Sequence, residues 1–405
     1  MKIPRKYKFI VELGKALHVC GVPSYKTESY LCDIARKKGI KGSFMDTPTW
    51  VNFVFYEDEE EHSYTYTECI PPGEINLGAL SKVVEITNKV LDNTLSLEEA
   101  CGEIKRMDYR NFGYGNRLEF LAFVVSAGGF SLIINPNWAS AWAASFAGMV
   151  IFLFTLWADK SPYVKSTLET LSSFVSTLLI GALASFFPQI HISLTVLSSI
   201  IIFIPGLSLT TALEEITSRN LVSGTAKLFD AVISLFKQFF GVMLGLAILP
   251  FLVDIRFVPS VHNIPSFGVY IAIVFLALSL IVLFKIRPKD IVLSVLTGCI
   301  SFYTLILLED LGVLLSIFIG TVITAAASKF FSYLTKTPRL VYLIPGTVML
   351  VPGSKAFIGL SNLFLKQEPV NIVYYNMGEQ VLYIFMGIIG GLIFSGSFMK
   401  KQEKE

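Results

Sequence analysis

Apolar residues fall along this chain in two regimes. Up to about residue 112 they recur at helical or alternating spacing among many charged positions; beyond residue 117 they run in blocks of about 20 between short polar stretches. In the first regime Phe9, Leu13, Ala16 and Leu17 share one stripe of a helix over 7–19, and Ser24 is placed to cap a second helix carrying Tyr30, Leu31, Ile34 and Ala35. Segments 49–57 (TWVNFVFYE) and 63–70 (SYTYTECI) alternate around an acidic turn at 58–62 and predict a hairpin. Leu77, Leu80, Val83, Val84, Thr87, Val90 and Leu91 predict a helix over 76–91, and Ser96 with Glu99 makes the capping box of another. An α+β domain over 1–112 follows, long enough to bury a core of its own.

The second regime predicts ten transmembrane helices, near 118–134, 139–157, 167–187, 192–211, 226–252, 267–285, 290–308, 312–331, 340–361 and 376–398. Loops on one side carry Lys160, Lys165, Arg219, Lys285, Arg287, Lys289, Lys336 and Arg339, with Lys400 and Lys401 in the tail, whereas the opposite loops hold Arg256 and Lys366. That bias places both termini in the cytoplasm of a multi-pass protein of the inner (plasma) membrane. The long loop around 254–266 divides the region into modules 113–258 and 259–405, five spans each, and an odd number per module inverts the second relative to the first. The fold class is thus a mostly α-helical polytopic membrane protein: two five-helix inverted repeats behind an N-terminal cytoplasmic α+β domain.

The fourth span of each module carries an internal Pro-Gly, in IPGLSLTTALEE (204–215) and IPGTVMLVPGSKAF (344–357). Proline removes a backbone donor and glycine loosens the chain, so each pair is expected to break its helix and free main-chain groups for a substrate's carboxylate and ammonium. The alternative is a packing kink. Candidate substrate-binding residues are Pro205, Gly206, Ser208, Thr210, Thr211, Pro345, Gly346, Pro352 and Gly353. Charges at membrane depth are costly and functional by default, which nominates Asp230 and Glu379 for proton coupling and Lys227, Lys237 and Lys355 as charge partners. Asp230 and Lys237 share a helix face, able to pair or to face a cavity. Glu119, Glu169, Glu214 and Glu215 fall near cytoplasmic span ends, where solvated carboxylates are expected.

Composition sharpens the picture: 53% of the 405 residues are hydrophobic and 16% charged, a balance that demands an apolar solvent. A net charge of +2, with no basic block interleaved with aromatics, excludes nucleic acid as an expected partner. The five cysteines form no CxxC pair, and the four histidines (His18, His62, His191, His262) lack metal spacing and read as surface or interfacial residues, so neither metal nor cofactor is expected. Without a GxxxxGK[ST] loop the chain does not hydrolyse ATP by that route, and uphill transport would draw on an ion gradient or a separate subunit. At the start, Glu12, Lys15 and His18 interrupt what would be the apolar core of a signal peptide. Gly387, Gly390 and Gly391 offer a small-residue face for a homo-oligomer.

Several segments carry a resemblance to the threonine/serine exporter family: GVPSYKTESYL (21–31), FMDTPTWVNFVF (44–55), INLGALSKVVEI (75–86), LSLEEACGEI (95–104), IPGLSLTTALEEITSRNLVSGTAKLFDAVI (204–233) and IPGTVMLVPGSKAFIGL (344–360). The resemblance implies a fusion of two membrane modules that exports L-threonine and L-serine on the proton motive force, with no enzymatic activity required. Lys227 stands where the family commonly has arginine, which keeps the charge and loses the bidentate fork. Succinate-like dicarboxylates, exported by paired split relatives, therefore stay open as substrates. The family's front domain is also compared with hydrolases, which leaves a membrane-anchored enzyme or a sensor as further alternatives; Thr27 and Glu28 form the motif to test there, against plain helix stabilisation by Glu28.

Overall fold

The computed structural model describes residues 4–56, 63–109, 112–253, 264–350 and 377–399. The front part holds α1 (Arg5–Val19), α2 (Ser24–Lys37), β1 (Lys41–Thr47), β2 (Trp50–Tyr56), β3 (Ser63–Cys69), α3 (Leu77–Leu91) and α4 (Leu97–Arg106). Its sheet is antiparallel in the order β1-β2-β3, with Phe44 opposite Phe53 and Phe53 opposite Tyr66. Strand alternation turns Val51, Phe53 and Phe55 inward onto α1, where Tyr7 stacks on Phe55 at 4.1 Å between ring centroids. The expected hairpin is β2–β3. Strand β1 is an addition, hidden in the sequence because Phe44 is its one buried apolar side chain. Ser96 and Glu99 form the capping box at the start of α4, and Asn76 caps α3.

Beyond residue 113 the described chain is helical. Six helices are long and apolar enough to cross a membrane: α5 (Asn116–Ile134), α6 (Trp138–Ala158), α7 (Pro162–Phe186), α10 (Leu221–Leu252), α12 (Ile291–Leu307) with its leading 3₁₀ turn, and α13 (Val313–Thr335). A seventh span is a bent pair, α8 (Ile192–Ser199) with a 3₁₀ turn and α9 (Gly206–Thr217), angled at 58°. Three further helices, α11 (Ser266–Leu283), α14 (Leu340–Leu350) and α15 (Met377–Met399), contain shorter apolar stretches. Helices α7 and α10 begin about a turn before the spans read from hydropathy; α7 thereby takes in Lys165, which pairs with Glu74, and α10 takes in Ser223, which pairs with Ser24.

The expected break at Pro205 is present, with Pro205 flanking the start of α9. Its expected counterpart at Pro345 is not: Pro345 and Gly346 lie inside α14, which runs on to Leu350, and Pro352, Gly353 and Lys355 lie outside the described residues. Proline at 345 cannot donate to the Val341 carbonyl, and Ser294 of α12 donates to that oxygen instead (3.3 Å). A Cβ on Gly346 would sit 2.5 Å from Thr324 and 2.9 Å from Ser301, so this Pro-Gly serves close packing of α14 on α12 and α13.

Close helix pairs set the rest. Gly241 of α10 abuts the Thr170 carbonyl of α7, Gly245 abuts Thr177, and Leu249 abuts Gly181, so α7 and α10 run parallel. Gly387 and Gly391 of α15 abut Ile317 and Thr321 of α13 in the same parallel sense. These glycines, read as an oligomerisation face, are therefore spent inside the chain, and Gly390 faces Phe318 of the same helix α13.

Candidate functional site at the domain junction

The front domain docks on the loops that carry the clustered cations. Leu77 N–H donates to the Phe284 carbonyl (3.0 Å), Tyr114 OH to the Ile286 carbonyl (2.6 Å), Arg287 pairs with Glu85 (3.3 Å) and Lys165 with Glu74 (3.3 Å). A cavity of about 340 Å³ opens where this domain meets the broken span. Its front-domain wall is His18, Ser24, Lys26 and Asp46 with the loop residues Pro72 and Gly73; its membrane wall is Ser208, Thr210, Thr211 and Glu214 of α9, Lys227 and Asp230 of α10, and Leu343, Ile344 and Thr347 of α14.

The seam between the walls is charged. Glu215 of α9 is fully buried; its Oε1 accepts from Lys227 Nζ at 2.5 Å and from the Ser24 N–H at 2.8 Å, while Oε2 has no hydrogen-bond partner. Ser24 was expected to cap α2. It is instead that helix's first residue, its N–H at the positive end of the helix dipole presented to Glu215 and its hydroxyl 2.7 Å from that of Ser223. Tyr25 OH and Lys26 Nζ (3.3 Å) both donate to Glu214. The expectation of solvated carboxylates at 214 and 215 is thereby corrected: the docked front domain covers the helix end that hydropathy leaves exposed.

Behind this seam lies His18, buried rather than on the surface, with Nδ1 2.7 Å from Asp46 Oδ1 and Nε2 3.2 Å from the Pro71 carbonyl. Asp46 N–H in turn donates to Glu28 Oε1 (2.9 Å). Burial pushes the Glu28 carboxyl above its ordinary range, against the opposing bonds from Asp46 and Asn220. Glu28 thus braces the backbone of Asp46 rather than the first turn of its own helix, and Thr27 beside it is fully buried with an unpartnered hydroxyl. Burial pushes the Cys20 thiol up to about 12, leaving no thiolate nucleophile there.

The remaining nominated residues divide. Asp230 is exposed and lines the cavity; Lys237 does not pair with it and lies 3.7 Å from Glu169 of α7. Lys227 pairs with Glu215. Pro205 and Gly206 form the start of α9; Thr210 and Thr211 line the cavity while their hydroxyls also donate to the helix carbonyls of Gly206 and Ser208. The side chain of Glu379 lies outside the described set. His18, Asp46 and Glu215 carry no spacing motif that marks them as site residues in the sequence. The signal for the first two was strand and helix parity, which sets Asp46 on the face of Phe44 and His18 one turn after the buried Gly14.

Long apolar helices, one of them broken beside a polar cavity, define a multi-pass membrane protein. The chain matches the family model described as "Putative threonine/serine exporter" over residues 8–249 and that described as "Threonine/Serine exporter, ThrE" over 269–398. It belongs to the threonine/serine exporter family. Among curated relatives it is similar to the Pheromone-regulated membrane protein 10 of Debaryomyces hansenii, 26% identical over 247 residues, covering 60% of this chain and 24% of the relative. It is similar also to that of Kluyveromyces lactis, 27% identical over 252 residues (60% and 26%), and to an uncharacterised protein of Schizosaccharomyces pombe, 21% identical over 368 residues (88% and 44%). The chain thus spans less than half the length of these relatives. No solved structure matches it.

Proposed function

We propose that this chain is a secondary exporter of small polar amino acids of the threonine and serine type, loaded at the junction cavity and coupled to protons. The observation that carries this reading is the cavity's mixed charge. Lys26 and Lys227 offer cations for a carboxylate; Asp46, Glu214 and Asp230 offer anions for an ammonium; Ser208, Thr210, Thr211 and Thr347 offer partners for a side-chain hydroxyl. The volume lies at the small end of ligand pockets. Both lysines already hold carboxylates, at Glu214 and Glu215, so a dicarboxylate would meet an acidic surplus. That disfavours succinate-like substrates. Asp230, exposed on the cavity wall, is the proton carrier in this reading, and Glu379 stands as the second candidate.

Ten spans in two inverted modules fit the packing. In each set of five the third and fifth spans run parallel, and the fifth carries a Gly-x-x-x-Gly pair against the third, Gly241/Gly245 on α7 and Gly387/Gly391 on α13. Cations gather on the side of the front domain, which orients that side to the cytoplasm of a plasma-membrane protein. The front domain acts as part of the loading site rather than as an enzyme. Counterflow of radiolabelled threonine, serine and succinate in proteoliposomes tests this: exchange of the amino acids but not succinate is expected, and Asp230→Asn should abolish the pH dependence. Exchange of succinate alone, or of none, would reject the reading.

A further inference from the structure

Inside the first membrane module, away from the junction cavity, α7 and α10 enclose a polar cluster beside the broken span. Glu169 sits about 10 Å along α7 from its first residue, with Ser172 one turn further on. Ser234 of α10 donates to Glu169 Oε1 (2.7 Å). Gln238, fully buried, spends its amide hydrogens on the Ser234 hydroxyl oxygen (3.2 Å) and on the carbonyl of Phe203 (2.7 Å), the last residue of the 3₁₀ turn at the break. Every donor in this chain of bonds is committed. What stays without a hydrogen-bond partner is oxygen: Glu169 Oε2, Gln238 Oε1 and the hydroxyl of the fully buried Ser172. Buried polar atoms are almost always paired, so two orphaned acceptor oxygens, Glu169 Oε2 and Gln238 Oε1, point to a ligand that brings positive charge, with the Ser172 hydroxyl one turn along α7 able to turn its lone pairs to it.

We propose that Glu169, Ser172, Ser234 and Gln238 form a binding site for a small monovalent cation, a proton or sodium ion. One carboxylate with an amide oxygen and hydroxyls is a hard-oxygen donor set, and its single negative charge balances a single positive one within the bilayer. Lys237 Nζ, 3.7 Å from Glu169 Oε2, is too far to hydrogen-bond and its side chain is 45% exposed, so it acts as a tethered stand-in that the cation displaces. Among the described residues α6, α8 and the 3₁₀ turn contain no ionisable group, and Lys165 on α7 is held by Glu74; on α10 Asp230 lies one turn before Ser234, and on α9 Glu215 is paired with Lys227 and Glu214 with Lys26. Through Gln238 the site grips the Phe203 carbonyl, so cation occupancy acts on the bend of the broken span. As a coupling site it rests on the exporter reading; as a binding site it does not.

The test is thermal unfolding of the purified full-length chain in detergent, with sodium chloride against choline chloride at equal ionic strength, and from pH 8.5 to 5.5 without sodium. The wild type should be stabilised by sodium or by protons, and the arm that responds identifies the ion. Glu169→Gln should lose that arm's response. Lys237→Met should respond at about tenfold lower cation concentration, since a like charge within about 4 Å is gone. A wild type indifferent to both ions, or Glu169→Gln and Ser172→Ala responding like the wild type, would overturn the site. In proteoliposomes Glu169→Gln should keep solute counterflow and lose ion-driven accumulation. A cation response without any solute exchange would reject the exporter reading and leave the site standing, while exchange without a cation response would do the reverse.

Discussion

Lys227→Met strips the buried Glu215 of its counter-ion and tests whether the front domain is bolted to the first membrane module. In the native chain Glu215 has zero exposure and Lys227 lies 2.5 Å away, so the variant leaves a buried carboxylate held by the Ser24 N–H at 2.8 Å. Breaking a buried pair by removing one member costs about 3–5 kcal/mol. The bond from Ser24, worth about 1.5–3 kcal/mol as a charge-assisted contact, survives only while the front domain stays docked. A loss of about 3 kcal/mol would move the docked-to-open ratio roughly 150-fold towards open, where Glu215 regains water.

Ser24 and Ser223 report that opening directly, because their hydroxyl oxygens are 2.7 Å apart. With Cys20, Cys32, Cys69, Cys101 and Cys299 replaced, Ser24→Cys with Ser223→Cys should cross-link readily under mild oxidation, and adding Lys227→Met should slow the cross-link and lower the unfolding midpoint. Adding Glu215→Gln to Lys227→Met removes the stranded charge and should recover at least about 2 kcal/mol of the loss. Cross-linking of Lys227→Met at the native rate, or a double variant no better than the single one, would refute the reasoning.

Two further perturbations probe the fold. A raised carboxyl value at Glu28 means that the neutral form suits the fold: its contribution is complete below the unfolded value of about 4.3 and is lost as pH rises through the folded value. Glu28→Gln should therefore match or exceed the wild type in thermal midpoint at pH 8, and the difference should vanish near pH 4. Gly241→Val would bring a Cβ 2.4 Å from the Thr170 carbonyl and should cost about 1–3 kcal/mol in thermal midpoint and yield of folded protein, whereas Gly102→Ala on α4, with nothing within 4 Å, should be neutral or stabilising.

Hydropathy exposed the membrane class and the front domain's elements, because those depend on local spacing. Pairing of charges did not show, since it is made across long separations: Ser24 and Glu215 are 191 residues apart, and His18 and Asp46 are 28 apart. Neighbours Glu214 and Glu215 are indistinguishable in sequence, yet one lines a cavity and the other is sealed beneath α2. Glu169 read as a solvated span end for the same reason; Ser234, on another helix, donates to it. Pro345 read as a helix breaker because nothing local repairs the lost bond, and the repair comes from Ser294 on α12.

The front domain touches both membrane modules, but the two seams differ in kind. Against the second module it makes a main-chain acceptor contact at Phe284, worth about 1 kcal/mol, an Arg287–Glu85 pair whose carboxylate is 40% exposed, worth about 1 kcal/mol or less, and a shared buried apolar cluster. Against the first it buries Glu215, which accepts from Lys227 and from the amino end of α2. Opening the second seam exposes the apolar cluster that the front-domain core shares with Ile281, Ile286, Val341, Tyr342 and Ile344, while opening the first strands or hydrates a paired buried charge. The two seams are thus held by different physics, apolar burial at the second and a buried ion pair at the first. The family boundary lies between the modules and follows neither seam: one model takes residues 8–249, front domain and first module together, and the other begins at 269.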